Sequence, residues 1–550
     1  MGFYSLMRFD LIILLAIALI VRITIAIIAT GPGYPDAAYY FDVAKNLVSG
    51  HGFTEDFIIT YLTPASSVVH PSNFFWMPLT SIVIAPFLAL FGTSWRVAQI
   101  PIVLLSASLP LFAYWIGWDI FRSRRYAFAI GFFTLLGGSL YPSYFAVTDS
   151  FALYSWVSLL ALVGMYQGWR GHHWRFVLAG IAIGLAHLTR ADGVLLLGVG
   201  GLVWLCSQQK SNRSGKPFWK SDSHTQLSPI PWQALVGMIC CYLLTMTPWF
   251  LRNIALVGSP LPLGATTTIW LTSFSESFSF HQAISPQTYF AWGLSNILSS
   301  KLEALGENFI LLSAVLYIPI PFALLGMWIE RKRAELLPFL IYLLLLYSIL
   351  SLVFTFPSTT GMFFHSLTAV LPLMHAWSLI GMDATIAYVS WRFGKAYKNA
   401  RFSLTIPPKN GDLFYLAIVM TAAVIVLGET VYTTSAGWDY NDLLYQKVGK
   451  VVASDYREHD ELHAPLQPVV MVAEAADYYY ATGQHAVLLP TQGLPTILEA
   501  ARTFSVSYIL FTPNQGVEER ELEEKVLTDR RLKLVWESSA GKLYRFVSSG

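Results

Sequence analysis

The segment Phe74–Phe91, FFWMPLTSIVIAPFLALF, decides how the rest of the chain is threaded. It is apolar enough to cross a membrane, yet it opens on bulky aromatics and is interrupted by Pro78 and Pro86. Around it lies a chain of 550 residues that is 55% hydrophobic and only 12% charged. Soluble globular proteins carry roughly 25% charged residues, so this is the composition of a polytopic membrane protein. The net charge of +2 speaks against a nucleic-acid partner. The three cysteines, Cys206, Cys240 and Cys241, sit inside apolar runs and form neither a metal-ligand spacing nor a disulfide framework.

The first apolar run, Leu11 to Thr30, follows Arg8 and is long enough for a spanning helix, which needs about 20 residues. No cleavage site follows it convincingly, so it reads as an uncleaved signal anchor with a cytoplasmic N-terminus. Further runs lie near 97–118, 126–145, 150–168, 176–189, 192–206, 232–251, 308–329, 336–356, 362–382 and 412–430. Together they predict about eleven spans. Basic clusters occur at Arg122/Arg124/Arg125, Arg170/Arg175, Lys210/Arg213/Lys216/Lys220, Arg331/Lys332/Arg333 and Arg392/Lys395/Lys398/Arg401. Short cytoplasmic loops are enriched in Lys and Arg. If 74–91 spans, these clusters fall outside; if it lies in the interface or re-enters, they all fall inside. The second threading makes 31–96 one long extracytoplasmic loop, makes 207–230 a polar cytoplasmic loop, and leaves the C-terminus outside.

Past residue 430 the character changes. PVVMVAEA and VSYILFTP are short apolar runs of strand type, TILEAARTF has a helical pattern, and KLVWES with KLYRFVS suggests a closing hairpin. The expected architecture is a helical membrane module over 1–430 and an extracytoplasmic α/β domain over 431–550.

This threading sorts the polar residues by side. Ionisable groups at membrane depth are costly and default to functional candidates. Asp36 and Asp149 both face the outer compartment, Asp36 after Pro35 and Asp149 at the start of a span. Each can cap a helix. As a pair they can also divide base and electrostatic roles, or hold a divalent cation. Asp42 lies on another helical face and reads as scaffold or solvent-facing. Arg190 and Arg252 end spans at the outer face, where a guanidinium can pair with phosphate or snorkel to headgroups. His365 begins a span on the same side, as either packing or substrate contact. Phe74, Phe75 and Trp76 can line lipid, stack on a sugar or anchor at the interface.

Several stretches, in order along nearly the whole chain, resemble one family: YPDAAYYFDVAKNLVSGHGF, HPSNFFWMPL, AVTDSFALYSWVSLLAL, GIAIGLAHLTRADGVLLL, TPWFLRNIALVGSPLPL and GMFFHSLTAVLPL. The chain resembles glycosyltransferases of the GT-C superfamily, in the dolichyl-phosphate-mannose protein mannosyltransferase-like group (glycosyltransferase family 39), which includes bacterial aminoarabinose transferases. The resemblance implies a transferase that moves a sugar from a polyprenyl-phosphate donor to an acceptor hydroxyl on a lipid, glycan or protein, with inversion, in the bacterial inner or plasma membrane. It maps the catalytic acid onto Asp36 and the second acid onto Asp149, with a divalent metal as a possible cofactor held by the two. Arg190 and Arg252 become donor-phosphate residues, and His70, His365, Tyr39 and Trp76 residues of the substrate groove. The family's histidine–proline pair appears as His70-Pro71, followed by Ser72 in place of a second proline. Asp36-Ala37 stands where many members have two acids, which points away from the protein O-mannosyltransferases proper. The competing expectation is a transporter or flippase for lipid-linked sugars, which calls for inverted repeats and mid-membrane charges.

Overall fold

The computed structural model describes residues 3–62, 65–138, 140–209, 219, 227–261, 263–356, 361–393, scattered positions between 421 and 438, and then 439–459, 467–512 and 531–547. The expected span at 412–430, most of the 207–230 loop and the basic residues Lys395, Lys398 and Arg401 lie largely outside these. Five described helices are long and apolar enough to cross a membrane: Leu6–Ile28, Trp95–Phe121, Phe151–Trp169, Trp232–Val257 and Ala334–Leu352. A sixth crossing can be made by Met362–Ala369 with Leu371–Val389, bent by 68°. These helices make the chain an integral membrane protein.

Several of the expected spans are shorter or broken, and proline and glycine explain where. The 308–329 run divides into helices Leu294–Ala314 and Ile320–Glu330. Pro319 caps the second and Pro321 follows it, and a proline lacks the N–H that would carry the first helix onward. The 126–145 run ends as a helix at Leu136, because Gly137 and Gly138 both take positive φ, +79° and +87°. The bend after Ala369 precedes Pro372, which disfavours a continuous helix through its predecessor.

Phe74–Phe91 does not cross. Its helix, Leu79–Phe91, has 13 residues, about 20 Å at 1.5 Å per residue, against a hydrocarbon core of about 30 Å. The ion pair between Asp10 and Arg124 settles the parity. Arg124 Nε and Nη2 donate to the Asp10 carboxylate, both at 2.7 Å. The start of the first span and the end of the Trp95–Phe121 span therefore share one side, which leaves no room for a third crossing between them. The basic clusters meet at that same end. Arg170 donates to Asp119 at 2.7 Å and to Glu335 at 3.1 Å, Arg333 donates to the Ile120 carbonyl, and Arg125 pairs with Asp383.

At the other end lies a six-stranded sheet. Strands β1 (Thr54–Glu55), β2 (Phe57–Ile58) and β3 (His70–Pro71) come from the loop before Leu79, and β4 (Val470–Val472), β5 (Ala486–Leu488), β6 (Tyr508–Phe511), β7 (Leu532–Ser538) and β8 (Gly541–Phe546) from the C-terminal region. The sheet order is β2-β5-β4-β6-β8-β7, while β1 and β3 pair separately. Its first four strands are parallel and β7–β8 is the antiparallel hairpin. Helices Ala475–Thr482 and Leu494–Thr503 make the parallel crossovers. Strand β2 was not foreseen: residues 57–58 supply the sheet's edge.

Arg170 and Glu335 are 6% and 1% exposed. Arg170→Ala leaves that carboxylate without its nearest guanidinium and is expected to cost about 3–5 kcal/mol. A lowered unfolding midpoint of the protein in detergent checks this; an unchanged midpoint refutes the clamp.

Candidate active site

Three side chains from distant parts of the chain meet at the sheet end of the bundle. Asp36 lies in the first turn of helix Pro35–Val48. Asp149 precedes the Phe151–Trp169 helix, and His365 lies on the short segment Met362–Ser366 before the 68° bend. His365 Nε2 is 3.1 Å from Asp149 Oδ2 and 3.7 Å from Asp36 Oδ2.

Neither aspartate caps its helix. Tyr34 is the N-cap residue of the Pro35–Val48 helix, in extended conformation and without a side-chain cap bond. Pro35 takes the first helical position, where its missing N–H costs nothing, and this moves Asp36 inward by one residue. Asp149 stands one residue before the Ser150 N-cap of the next helix.

The two carboxylates have different surroundings. Asp149 is completely buried and its acceptors are occupied. Its Oδ1 takes the backbone N–H and the hydroxyl of Ser150, and its Oδ2 takes the Tyr34 hydroxyl and faces His365. Asp36 is 22% exposed on its side chain, with His365 as its only ion-pair partner among the described residues. Burial pushes Asp36 up to about 7, the charge of Asp149 adding to the effect against His365 and Arg190. Burial also works against the charge of Asp149, but His365 and the Tyr34 hydroxyl outweigh it and hold it at about 2. Two neighbouring carboxyls pushed apart in this way are suited to different tasks.

His365 is oriented from behind. Its Nδ1 is 2.8 Å from the Gly361 carbonyl, which has no proton to give, so Nδ1 carries the hydrogen. Nε2 then faces two carboxylate groups, a contact that a shared proton or a metal ion would satisfy. One ligand atom from each of Asp36, Asp149 and His365 lies within 4.8 Å of the others. Two oxygens and an imidazole nitrogen with its far side hydrogen-bonded are a donor set that fits a divalent ion. The metal pair expected from the sequence thus gains His365 as a third member.

The two expected donor-phosphate arginines are not neighbours. Arg190 lies beside the acid cluster and is already engaged, its Nε 3.2 Å from Asp192 Oδ1 and 3.0 Å from Ser366 Oγ. Arg252 belongs to a second group, to which Tyr39 of the Pro35–Val48 helix also contributes. It donates to the Ser72 carbonyl at 2.7 Å and lies 4.5 Å over the Trp249 ring. It has no carboxylate at ion-pair distance among the described residues, and it lines a cavity of about 560 Å³ together with Phe53, Pro71, Ile82, Pro248 and Trp249.

Three other expected groove residues join this second group. His70 sits opposite Glu55 in the β1–β3 pair, its Nε2 2.8 Å from Glu55 Oε1. The Tyr39 hydroxyl accepts the Asn73 N–H at 2.6 Å, and its ring lies 4.6 Å from that of Trp76. Asp42 is scaffold but not solvent-facing: it is 2% exposed, 3.2 Å from Lys45, and accepts the Asp56 N–H. Sequence reading gave no role to Tyr34, Asp192 or Ser366. Asp192 was visible as an outer-side charge; the two hydroxyls carry no charge signal at all.

The described helices and sheet make an integral membrane protein, and its fold is shared with solved membrane proteins. No protein-family model matches the chain, and no curated protein sequence matches it. Solved structures do. ArnT from Cupriavidus metallidurans in the apo state is 12% identical over 98% of both chains, with a TM-score of 0.56, and the same protein bound to undecaprenyl phosphate gives 0.55. The archaeal oligosaccharyltransferase AglB from Archaeoglobus fulgidus, in complex with an inhibitory peptide and a dolichol-phosphate, is 12% identical over 93% of this chain and 70% of that one, with a TM-score of 0.51. The A. fulgidus oligosaccharyltransferase complex with Zn and sulfate is 14% identical over 91% of this chain and 68% of that one, at 0.55. At these identities the likeness is one of fold.

His70 provides a test of the second group. Burial works to lower its pKa, but Glu55 outweighs burial and raises it above the ordinary value of about 6.5. The pair's contribution to stability is therefore complete below that value and is lost as pH rises through the raised one. The His70 ring resonance should titrate above 6.5 in NMR, and Glu55→Gln should bring it to or below that value.

Proposed function

We propose that this protein transfers a sugar from a polyprenyl-phosphate carrier to an acceptor hydroxyl at the extracytoplasmic face of a bacterial inner or plasma membrane. The observation that carries this reading is the Asp36–Asp149–His365 cluster, in which Asp36 is the less engaged carboxylate. In this reading 1–430 is the catalytic membrane module and 431–550 an extracytoplasmic domain. The N-terminus is cytoplasmic, as the clustering of Arg124, Arg125, Arg170 and Arg333 supports.

Asp36 is the base. It takes the proton of the acceptor hydroxyl, whose oxygen attacks the anomeric carbon. The bond from that carbon to the phosphate oxygen breaks, and polyprenyl phosphate leaves with the electron pair. A single displacement inverts the anomeric centre. Asp149 stays ionised and holds His365 and Tyr34 in place. Arg252, a cation without a carboxylate at ion-pair distance among the described residues and in a largely apolar cavity, suits a lipid phosphate whose charge grows as the bond breaks. Tyr39, one helical turn after Asp36, joins the two groups. Asp36, Asp149 and His365 would hold a divalent cation, which would supply positive charge beside the reacting oxygens. Undecaprenyl phosphate in ArnT and dolichol-phosphate in AglB are ligands of the same chemical class on the same fold.

The transporter reading has less support. Arg22, a buried charge within the first span, already donates to the Leu135 and Pro142 carbonyls at 2.8 and 3.2 Å.

Transfer from labelled polyprenyl-phosphate sugars in membranes tests the proposal. Asp36→Asn is expected to lower the rate by about 10²-fold or more, as loss of a general base does. Arg252→Ala should chiefly raise the donor concentration needed for half-maximal rate. Full transfer by Asp36→Asn removes the base assignment.

A further inference from the structure

The helix that carries Asp36 is gripped along its length by the C-terminal region. At its start, Trp438 packs on Gly33, where φ is +81° and an added Cβ would overlap the indole. The same ring lies 5.4 Å from Tyr34. In the middle, Phe41 meets Tyr480 at 5.9 Å. Towards its end, the Lys45 ammonium stands 4.8 Å over the ring of Tyr479.

The last grip passes through one residue, Asp56. Its Oδ2 accepts from Asn46 Nδ2 on the helix and from the Tyr479 hydroxyl, both at 3.0 Å. Its N–H donates to Asp42 Oδ2 at 3.3 Å, again on the helix, and its carbonyl faces His485 Nδ1 at 3.0 Å. Directly after it, Phe57 and Ile58 pair in register with Ala486 and Val487 of β5. A single oxygen thus bridges the Asp36 helix and the C-terminal region, and the backbone on either side of that carboxylate is bonded to both. None of these contacts involves Asp36, Asp149 or His365.

We propose that Asp56 is a positioning residue: it locks the Pro35–Val48 helix to the C-terminal sheet, so that Asp36 holds its working place only while that sheet is seated. The lock stands on geometry alone; its consequence for catalysis rests on the transferase function proposed above. A carboxylate suits the position because hydrogen bonds to a charged acceptor are stronger than neutral ones. Asparagine keeps an oxygen for both donors, whereas alanine removes the bridge.

The test uses the full chain with Asp36→Cys as reporter and Cys206, Cys240 and Cys241 replaced by alanine. The rate of labelling by a water-soluble maleimide is measured with Asp56 intact and with Asp56→Asn, Asp56→Ala or Tyr479→Phe. Opening of the helix should speed labelling about tenfold in Tyr479→Phe, as loss of one hydrogen bond to a charged group implies, and at least as much in Asp56→Ala, which loses two. Asp56→Asn should stay near the parent. An unchanged rate in both disruptive variants overturns the lock. If Asp56→Ala fails to accumulate folded in membranes, Tyr479→Phe, which deletes one hydroxyl, decides alone. With Asp36 restored, sugar transfer should lose maximal rate in the same two variants at unchanged donor half-saturation, and Asp56→Asn should rescue it. Faster labelling in a chain that transfers no sugar even as wild type keeps the lock and removes the proposed function. Unchanged labelling removes the lock whatever transfer does.

Discussion

The full burial of the Asp149 carboxylate is the constraint around which this end of the molecule is organised. An ionised carboxylate out of reach of water must be surrounded by donors or cations. Here Ser150 supplies two donors from the start of its own helix, Tyr34 a third from the beginning of the first outer loop, and His365 a fourth contact from a broken helix 216 residues later. Each supplier is brought in by a local irregularity. Gly137 and Gly138 stop a helix early, so that the chain can turn back toward Asp149. Arg22 holds that returning chain by its carbonyls at Leu135 and Pro142, and Gln99 donates to Ala146 at 3.1 Å. The bend after Ala369 directs His365 into the site rather than along a straight span.

This arrangement accounts for the division of labour proposed for the two aspartates. A carboxylate with every acceptor occupied has little freedom to accept a proton from a substrate. It serves better as a fixed charge that orients its neighbours. Asp36, six residues before Asp42 on the same helix but on a different face, keeps partial exposure and a single ion-pair partner among the described residues, which suits the proposed base. Proximity alone would not separate the two; the distribution of donors does.

Much of this was legible in the chain because charge is scarce in it. In a sequence with 12% charged residues, each Asp or Arg near an apolar run is conspicuous, and Asp36, Asp149 and Arg252 could be singled out on that ground. The non-crossing of Phe74–Phe91 followed from the basic loops and was met by the Asp10–Arg124 pair. Hydroxyl donors were not legible, since Tyr34 and Ser366 look like any other tyrosine and serine. Helix ends inside the expected spans were not legible, because apolarity says nothing of where Pro319 or Gly137 will end a helix. Arg190 and Arg252 looked equivalent, both arginines at span ends, until Asp192 and Ser366 were seen to occupy one of them. Strand β2 is two residues long, too short for any alternation to announce it.

That short strand couples the site to the order in which the chain is made. Phe57 pairs with Ala486, and Asp56 meets His485 across 429 positions. Contacts so distant in sequence close late and slowly. During synthesis the segment with Asp36 is made well before the edge it joins, which lies 429 positions beyond Asp56 at His485. A nascent chain, or one truncated before β5, carries every side chain of the acid cluster and lacks the surface that seats the first of them. The end that carries the acid cluster is thus completed by a segment made long after it.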